Sequence, residues 1–492
     1  MMNRVLGLLL AILLGCSLQT SVALGGEIQA ETCNRLDKIR EQKKLQLFNY
    51  LDRVRKRADA IRTDHVMEDF FILKNKYYHL QQQKTPSKGL IQTIETLKQK
   101  INEYYLRRYR LFYDILFINR DGDIFYTIRK QTDYHKNVFQ GKLADTALAR
   151  QLKKHPKQTF VDYQYYDVSD EPSSFIVEPV IKAGEFAGWF VLQCAINKIN
   201  NMFTYEAGLG RTGEVFLVNE ENYMLTDSRF SGDSSILKKS LSEENIEAKF
   251  EERAGHKIVT DYRGFRALSS FEVCQIADSE WLLIAKIDED EIITEQYKKQ
   301  RQPLQADLIE LFRERTLHKC SEIEVDENPV VVDMDEFRKV KKGEMIGTFG
   351  VSTCTAVIIS FPGKFAYLSH ISNLDRIYGG NTTDLISHML KRIKTFDIYK
   401  YERRQLQATI VANHFESVMN TINSLVDAGF FLSQIKFIYN GEAEYGRVIH
   451  DYMTNETCVR WLMDRESGKT VCQCASDIEP IGTVIKPLIG YE

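Results

Sequence analysis

The sequence has little of several features that would fix its class at once. Its formal net charge is only −3, since 65 Lys and Arg are balanced by 68 Asp and Glu, so it lacks the basic surplus of nucleic-acid-binding proteins. Proline is scarce, with 9 in 492 residues, and 43% of the residues are hydrophobic, which excludes a disordered chain. This length exceeds one ordinary core, so we expect two or three domains.

Long hydrophobic runs are missing from the sequence after its N-terminus. There, the run VLGLLLAILLGC follows a basic residue and precedes SLQTS, which is typical of an export signal over residues 1–26. LLGC resembles a bacterial lipobox and predicts lipidation of Cys16, whereas SVALGG allows simple cleavage after Ala23. An uncleaved anchor from Val5 to Leu24 is the third option. We therefore expect a protein in the periplasm or on the outer surface of a bacterium.

Cysteines are also few. In an exported protein we expect some of them to form disulfides, because disulfides form in oxidising compartments. Cys458, Cys472 and Cys474 are close enough in sequence for a local disulfide, and the sequence leaves the pairing open. Cys194 and Cys274 each end a predicted strand and are expected to be buried thiols. A catalytic cysteine would have to stay reduced in these surroundings.

Hydrophobic periodicity divides the rest of the chain. From residue 27 to about 83, apolar residues recur at three- and four-residue spacing, which predicts a long helix, and a second helical stretch follows KTPSKG. Short strands around turns such as NRDGD then continue to about residue 295. The charged segment after them contains Pro303, and we interpret residues 296–327 as a helical linker that breaks at this proline.

Two stretches of the strand-rich region carry a resemblance. PSSFIVEPVIKAGEFAGWFVLQCAINKINNMF and AGLGRTGEVFLVNEENYMLTDSRF resemble the double Cache sensor domains found outside the cytoplasm in bacterial chemoreceptors and sensor kinases. The resemblance covers roughly residues 30 to 295, within a predicted domain of residues 27–295. It implies an α+β fold in which a long N-terminal helix carries two stacked PAS-like modules, one of which holds a small-molecule ligand. The Arg and Trp signature of the amino-acid-binding subgroup is missing, so an amino-acid ligand is not supported.

The sequence DYQYYD offers candidate ligand contacts in this region. Asp162, Tyr163, Tyr165 and Asp167 combine aromatic and acidic side chains at an expected pocket edge. The alternative is that the tyrosines belong to an edge strand and pack on each other.

The stretch TFGVSTCTAVIISFPGKFAYLSHIS contains the candidate chemistry. It predicts an antiparallel hairpin turning at FPGK, with Cys354 at the start of one strand and His370 at the end of the other. A histidine beside a cysteine favours the thiolate, which is the nucleophilic form. Thr348 would accept the second ring N–H of His370 and fix its tautomer, and the Cys354 amide would help to hold an oxyanion. The alternative is that Cys354 is an ordinary core residue.

The same residues resemble the chemoreceptor glutamine deamidase family (CheD). GTFGVSTCTAVIIS and GKFAYLSHIS match its pattern of Thr, Gly-rich approach, Cys, β-branched strand and His, and cytotoxic necrotizing factor catalytic domains share this Cys–His core. The resemblance covers residues 328–480 of a predicted α/β sandwich domain, 328–492. It implies Cys354 as nucleophile, His370 as base, Thr348 as orienting residue, and no metal or cofactor. The family's GLGSC is GVSTC here, with Ser352 replacing a glycine, and its Gly-Gly-Ala is VANHF.

Two functional hypotheses follow. In the first, the protein senses a small molecule and its C-terminal domain converts a glutamine of a protein substrate to glutamate. In the second, it is a non-enzymatic periplasmic sensor or binding protein whose C-terminal domain docks a partner receptor. A papain-like protease fits less well, because its cysteine usually opens a helix whereas Cys354 opens a strand. No nucleic-acid partner is expected, and an N-terminal lipid or anchor is the only expected membrane attachment.

Overall fold

The computed structural model describes residues 2–82, 87–105, 111–154, 157–204, 208–241, 246–314, 329–340, 342–372, 382–394, 402–489 and 491. They form two compact units: residues 33–287, the first unit, and residues 1–32 with 288–492, the second unit. The side chains of residues 2–28 lie outside the description, and so does the predicted lipidation of Cys16. No helix in the described part of the chain is long and apolar enough to cross a membrane.

The described helices and strands alternate along the chain in groups. The helices are α1 Met2–Arg62, α2 His65–Gln82, α3 Lys88–Tyr104, α4 Ala147–Lys154, α5 Asn197–Phe203, α6 Ile246–Glu252, α7 Glu289–Glu314, α8 Thr382–Lys394, α9 Phe415–Asp427 and α10 Ile481–Leu488. The strands of the first unit are β1 Asp114–Asn119, β2 Ile124–Thr127, β3 Thr159–Tyr166, β4 Glu171–Lys182, β5 Glu185–Ala195, β6 Glu214–Val218, β7 Ala254–Thr260, β8 Arg266–Ile276 and β9 Ser279–Asp288. Those of the second unit are β10 Val330–Val331, β11 Glu336–Val340, β12 Met345–Val351, β13 Thr355–Phe361, β14 Phe365–Ile371, β15 Gln407–Ala412, β16 Ile435–Tyr439, β17 Tyr445–Asp451, β18 Glu456–Asp464 and β19 Lys469–Cys474.

The long helix predicted from residue 27 to about 83 is two helices. α1 ends at Arg62, and α2 begins after Asp64, whose carboxylate accepts the backbone N–H of Val66 at 2.9 Å and that of Met67 at 3.4 Å. An aspartate in this position satisfies amides that a helix start leaves unpaired, so it favours a new helix over continuation of the old one. The apolar spacing runs through the break and could not reveal it.

The first unit contains two antiparallel sheets, with strand orders β2-β1-β5-β4-β3 and β6-β9-β8-β7. α2 covers the first sheet through Phe70 and Phe71, whose rings meet Phe117 and Phe125 edge to face at 5.4 and 4.9 Å. Such aromatic pairs add to the stability that their burial gives. The mixture of helix and antiparallel strand agrees with the predicted α+β class, while the stacking of two PAS-like modules stays a prediction.

Helix α1 contacts both sheets of the first unit. Just past the middle of the helix, Arg40 donates to the Ser270 hydroxyl on β8 at 2.6 Å. Near its C-terminal end, Asp59 accepts a hydrogen bond from Gln158, just before β3, at 3.2 Å. The helix therefore spans the junction of the two sheets, and buried residues between these contacts, such as Leu47 and Val54, lie on the side of the helix that packs there.

The second unit is built on two five-stranded sheets, with orders β10-β12-β17-β18-β19 and β11-β14-β13-β15-β16. Their facing sides form one apolar core, to which Ile346, Val448 and Trp461 contribute from the first sheet and Ile358 and Leu368 from the second. α9 lies on the opposite face of the second sheet, against β15 and β16. Residues on the inner faces of both sheets therefore meet inside a sandwich.

The predicted linker begins within this second unit. α7 packs there because the Tyr297 hydroxyl lies 2.8 Å from the Asn423 side chain and Arg301 pairs with Asp427. The helix is interrupted at Gln300 (φ −116°, ψ 19°), three residues before Pro303, as expected where a proline ring clashes with the preceding turn. Residues 315–328 of the predicted linker lie outside the described residues.

Candidate functional site

The hairpin predicted around the candidate cysteine is present. β13 and β14 pair in antiparallel register from Thr355 opposite Ile371 to Phe361 opposite Phe365. The turn contains Gly363 at φ +73°, a left-handed conformation that favours glycine. Ala356 lies directly opposite His370, so the cysteine two residues earlier and the histidine are close neighbours at the same end of the hairpin.

Thr348 fixes the tautomer of His370 across the sandwich. The Thr348 hydroxyl on β12 lies 2.7 Å from His370 Nδ1 and donates to the backbone carbonyl of Val332 at 2.8 Å. A hydroxyl carries one proton, so it must accept the Nδ1–H of the ring. The lone pair of His370 is therefore on Nε2. This atom is buried and, among the described residues, has no hydrogen-bond partner.

The imidazole of His370 is held in its neutral form. Burial lowers its pKa below the usual value, and the carboxylates of Asp335 and Asp333 oppose this effect only in part. A neutral ring with a free Nε2 lone pair is the form that removes a proton from a thiol. The electrostatics and the hydrogen bonding thus both favour His370 as a proton acceptor.

Cys354 is a reduced, buried cysteine immediately before β13, and its exposed fraction is 6%. On a strand, residues two apart share a face, so it lies on the inner side with Ala356. Register makes its position diagonal to that of His370, and the structure shows no hydrogen bond to His370 Nε2 among the described residues. The structure joins Thr348 and His370 by a hydrogen bond and places Cys354 at the same end of the hairpin, while the joint role of the three residues stays a prediction.

The loop before Cys354 accommodates a serine where the glutamine deamidases that the sequence resembles have a glycine. Gly350 has φ +76°, whereas Ser352, which replaces the family's glycine, has no positive φ. A serine at position 352 therefore carries no backbone strain. The position of this loop that needs a left-handed backbone conformation is 350, and a glycine occupies it.

Asn413 is a neighbour of Cys354 that the sequence reasoning missed. The pairing of β13 with β15 ends with Thr355 opposite Ala412, so the next positions, Cys354 and Asn413, adjoin. Asn413 Nδ2 donates to the carbonyl of Ala443 at 3.1 Å, and its Oδ1 is buried without a described partner. The signal was VANHF, which stood out only as a departure from Gly-Gly-Ala.

The remaining cysteines separate into a disulfide and free thiols. Cys458 and Cys474 are bonded and lie directly opposite each other on β18 and β19, which resolves the pairing that the sequence left open. Cys472 is free and half-buried, while Cys194 and Cys274 are buried thiols, as predicted. The disulfide agrees with an oxidising compartment.

A cavity of about 670 Å³ lies in the first unit, where α1 spans the two sheets. Its lining is Phe48, Tyr50, Leu51, Asp52, Val54, Arg55, Asp59, Gln158, Thr159, Phe160, Tyr163, Ser174, Ile176, Cys194, Gln275, Ile276, Ala277, Asp278 and Trp281. The Tyr50 hydroxyl is buried and has no hydrogen-bond partner in the described part of the chain. A cavity of this volume, mostly apolar with a few polar groups, has the properties of a small-molecule site.

The four candidate ligand residues of DYQYYD are not placed together. Tyr163 lines the cavity, and Asp162 accepts the Trp281 indole N–H at 3.0 Å, so it supports the wall. Burial raises the pKa of Asp162 to about 6 despite this hydrogen bond. Tyr165 is exposed and bonded to Asp170, and Asp167 is exposed outside the cavity lining.

Comparison with known proteins gives structural likeness only. No known family matches the sequence, and no curated protein matches it. The extracellular domain of the putative histidine kinase vpHK1S-Z8 is 14% identical, covering 55% of this chain and 94% of that one, with a TM-score of 0.36. The periplasmic sensory domain of the Campylobacter jejuni chemoreceptor Tlp1 is 12% identical, covering 54% and 98%, with a TM-score of 0.38. The ligand-binding domain of Mlp24 with asparagine is 12% identical, covering 55% and 97%, with a TM-score of 0.35.

These neighbours are Cache-type extracellular sensor domains, the class that the sequence resemblance predicted for about half of the chain. At such scores the likeness supports no functional inference. The resemblance of the C-terminal residues to glutamine deamidases stays a prediction.

Proposed function

We propose that the first unit is a sensor that binds a small aromatic molecule in the cavity at α1. The observation that carries this proposal is the buried Tyr50 hydroxyl in a largely apolar wall. An unpaired buried hydroxyl costs roughly 1–3 kcal/mol, and a ligand with a hydrogen-bond acceptor would recover this cost. The partly exposed ring of Phe160 supplies flat apolar surface for the rest of the ligand, and the buried Trp281 lies behind it with the ring centroids 6.3 Å apart.

A matched pair of probes tests the sensor proposal. Acetophenone and ethylbenzene have the same size and differ in one carbonyl acceptor. We expect the full-length protein to bind acetophenone roughly tenfold more tightly, and Tyr50→Phe to remove that preference while ethylbenzene binding stays. Equal binding of both probes by the wild type, measured by calorimetry, would contradict the assigned role of Tyr50. Binding of neither probe would contradict the proposed ligand class.

For the second unit, we propose a cysteine-dependent amidohydrolase that converts a protein glutamine to glutamate. The observation that carries it is the hydrogen bond from His370 Nδ1–H to Thr348, because it leaves the Nε2 lone pair unused at the end of the hairpin where Cys354 lies. The non-enzymatic docking domain remains the alternative. It predicts no role for the ring tautomer.

The chemistry balances without a metal or cofactor. His370 Nε2 takes the Cys354 proton, and the thiolate sulfur attacks the carboxamide carbon of the substrate. The C–N bond breaks as Nε2 returns the proton to the nitrogen, and ammonia leaves. Water then adds to the thioester and gives a proton to Nε2, the C–S bond breaks, and Nε2 returns the proton to sulfur. The net reaction consumes one water per glutamine and yields glutamate and ammonia.

Peptide-level mass spectrometry of envelope proteins tests the amidohydrolase proposal. Cells carrying the wild type should convert specific glutamines to glutamates, and cells carrying Cys354→Ser should not. If the two strains show the same glutamines intact, the docking alternative is favoured. Arg301→Ala, which removes a surface ion pair in the same unit, is a control for general effects of substitution.

A further inference from the structure

The side-chain amide of Asn413 has a fixed orientation. Its Nδ2 donates to the Ala443 carbonyl at 3.1 Å, an interaction that a flipped amide would replace by two oxygens facing each other. The donor end is therefore committed, and Oδ1 points away from Ala443. This oxygen is buried and, within the described residues, accepts no hydrogen bond.

Strand register puts this oxygen on the side of the sheet that carries the reaction. Asn413 continues β15 one position beyond Ala412, and Cys354 precedes β13 by one position, opposite it. Val411 and Ala356, two residues from each, both belong to the core between the sheets. Cys354 and Asn413 lie in bends just outside these strands, and continuing the strand alternation by one position puts both on the inner side.

His370 and Asn413 thus flank Cys354 from opposite strands. β14 carries the histidine on one side of β13, and β15 carries the asparagine on the other. Both offer a lone pair without a described donor, His370 through Nε2 and Asn413 through Oδ1. The proposed reaction gives the histidine lone pair the role of proton acceptor, whereas it gives the asparagine lone pair no role in the proton transfers.

A primary carboxamide differs from a carboxylate in one property that matters here. Its nitrogen donates two hydrogen bonds, while both oxygens of a carboxylate only accept them. A buried acceptor beside the nucleophile can therefore bind the carboxamide nitrogen and repels the carboxylate of the product. Sites built to pair with a substrate N–H reject analogues that lack it, because their own polar group is then left unpaired.

We propose that Asn413 Oδ1 accepts an N–H of the substrate carboxamide next to Cys354 and makes the site selective for amides over acids. It is a positioning and specificity residue: it orients the scissile C–N bond and disfavours rebinding of the glutamate product. The proposal rests on the amidohydrolase proposed above. Its test uses chemical modification and needs neither turnover nor the natural substrate.

Two alkylating reagents form the test. Iodoacetamide carries a primary carboxamide, and iodoacetate carries a carboxylate of nearly the same size. Both alkylate thiolates, so the ratio of their rate constants at one thiol reports what surrounds it. Cys472 is a free, half-buried thiol of the same chain and is the internal reference, and peptide mass spectrometry resolves the two positions.

In the full-length wild type, we expect the iodoacetamide-to-iodoacetate ratio at Cys354 to exceed that at Cys472 by roughly three- to tenfold, the value of one hydrogen bond. Asn413→Leu keeps the side-chain size and removes the acceptor, so its ratio should fall at least threefold. Asp333 and Asp335 remain in every variant, so any general repulsion of iodoacetate cancels.

The outcomes distinguish a failure of the Asn413 proposal from a failure of the amidohydrolase proposal on which it rests. An unchanged ratio in Asn413→Leu overturns the role of Asn413, and so does a wild-type ratio equal to that of Cys472. If Cys354 reacts with neither reagent, both this role and the amidohydrolase are contradicted. Asn413→Ala is the second variant if Asn413→Leu does not fold, judged by whether the second unit, with its buried Trp461, resists limited proteolysis as the wild type does.

Discussion

Two histidines of the second unit have the same local arrangement. His370 Nδ1 lies 2.7 Å from the Thr348 hydroxyl, and His450 Nδ1 lies 3.0 Å from the Thr457 hydroxyl. Both rings are buried, and in both the Nε2 atom lacks a partner among the described residues. A threonine–histidine hydrogen bond with a free ring nitrogen is therefore not sufficient to mark a reaction centre.

The surroundings of the two rings differ. His370 lies opposite Ala356, which is two residues from Cys354. His450 lies opposite Ile346, eight residues before Cys354 in the sequence. Burial lowers the pKa of His450 to about 4, so it stays neutral at any physiological pH. The comparison teaches that the thiol neighbour, not the threonine, separates a candidate base from a core histidine.

The largest effect on the reaction rate should come from replacing one of the two histidines by alanine. His370→Ala removes the general base, so we expect the rate of glutamine conversion to fall roughly 10²- to 10⁴-fold. His450→Ala removes an equally buried ring and should leave the rate of the folded protein near that of the wild type. Released ammonia measures the rate. An equal loss of reaction rate in both variants would contradict the assignment of His370, and not His450, as the general base.

The threonines provide the second contrast. Thr348→Val keeps the shape but leaves the His370 Nδ1–H unpaired, which frees the ring to adopt the wrong tautomer. We expect a loss of roughly 10- to 100-fold in kcat, since positioning partners of this kind have such effects. Thr348→Ser should restore most of it. Thr457→Val is the matched control, and a comparable kcat loss there would count against the account.

Acid stability should depend on His450. Its pKa is about 4 in the folded protein and about 6.5 when unfolded, so only the unfolded chain takes up a proton between these values. This group's contribution is therefore complete above pH 6.5 and is lost as the pH falls towards 4, by about 3 kcal/mol.

Denaturant unfolding of wild type and His450→Leu at pH 7 and pH 4 measures this loss. The variant should lose less stability over that range. Asp114 and Asp162, whose pKa burial raises to about 6, act in the opposite direction but are common to both proteins. Identical pH dependence in the two proteins would show that His450 is already protonated when folded.

The smallest effect concerns the loop that distinguishes the His370 site. Ser352→Gly introduces the glycine of the deamidases that the sequence resembles, and because Ser352 has no positive φ, we expect Cys354 alkylation rates within about twofold of the wild type. Gly350→Ala, at φ +76°, should instead destabilise the protein by about 1–2 kcal/mol. Thermal unfolding compares the stabilities of the two variants. A lower melting temperature for Ser352→Gly than for Gly350→Ala would show that position 352, not position 350, carries the backbone strain.

What the sequence could predict here was local. The hairpin followed from two apolar strands and a turn, so Cys354 and His370 were found from residues within one motif. Asn413 and the wall of the cavity could not be found in this way, because β15 and α1 reach their neighbours only through tertiary pairing. The break at Asp64 escaped for another reason, since one capping side chain outweighed a continuous apolar period.

The most direct test of the central claim is the pH profile of Cys354 alkylation by iodoacetamide in wild type, His370→Ala and His450→Ala. We predict that Cys354 reacts at neutral pH in wild type and His450→Ala. In His370→Ala it should react only as the pH approaches the pKa of an ordinary thiol, about 8.5. Identical profiles in all three proteins would contradict the account, since Cys354 would then be a core thiol that no histidine activates.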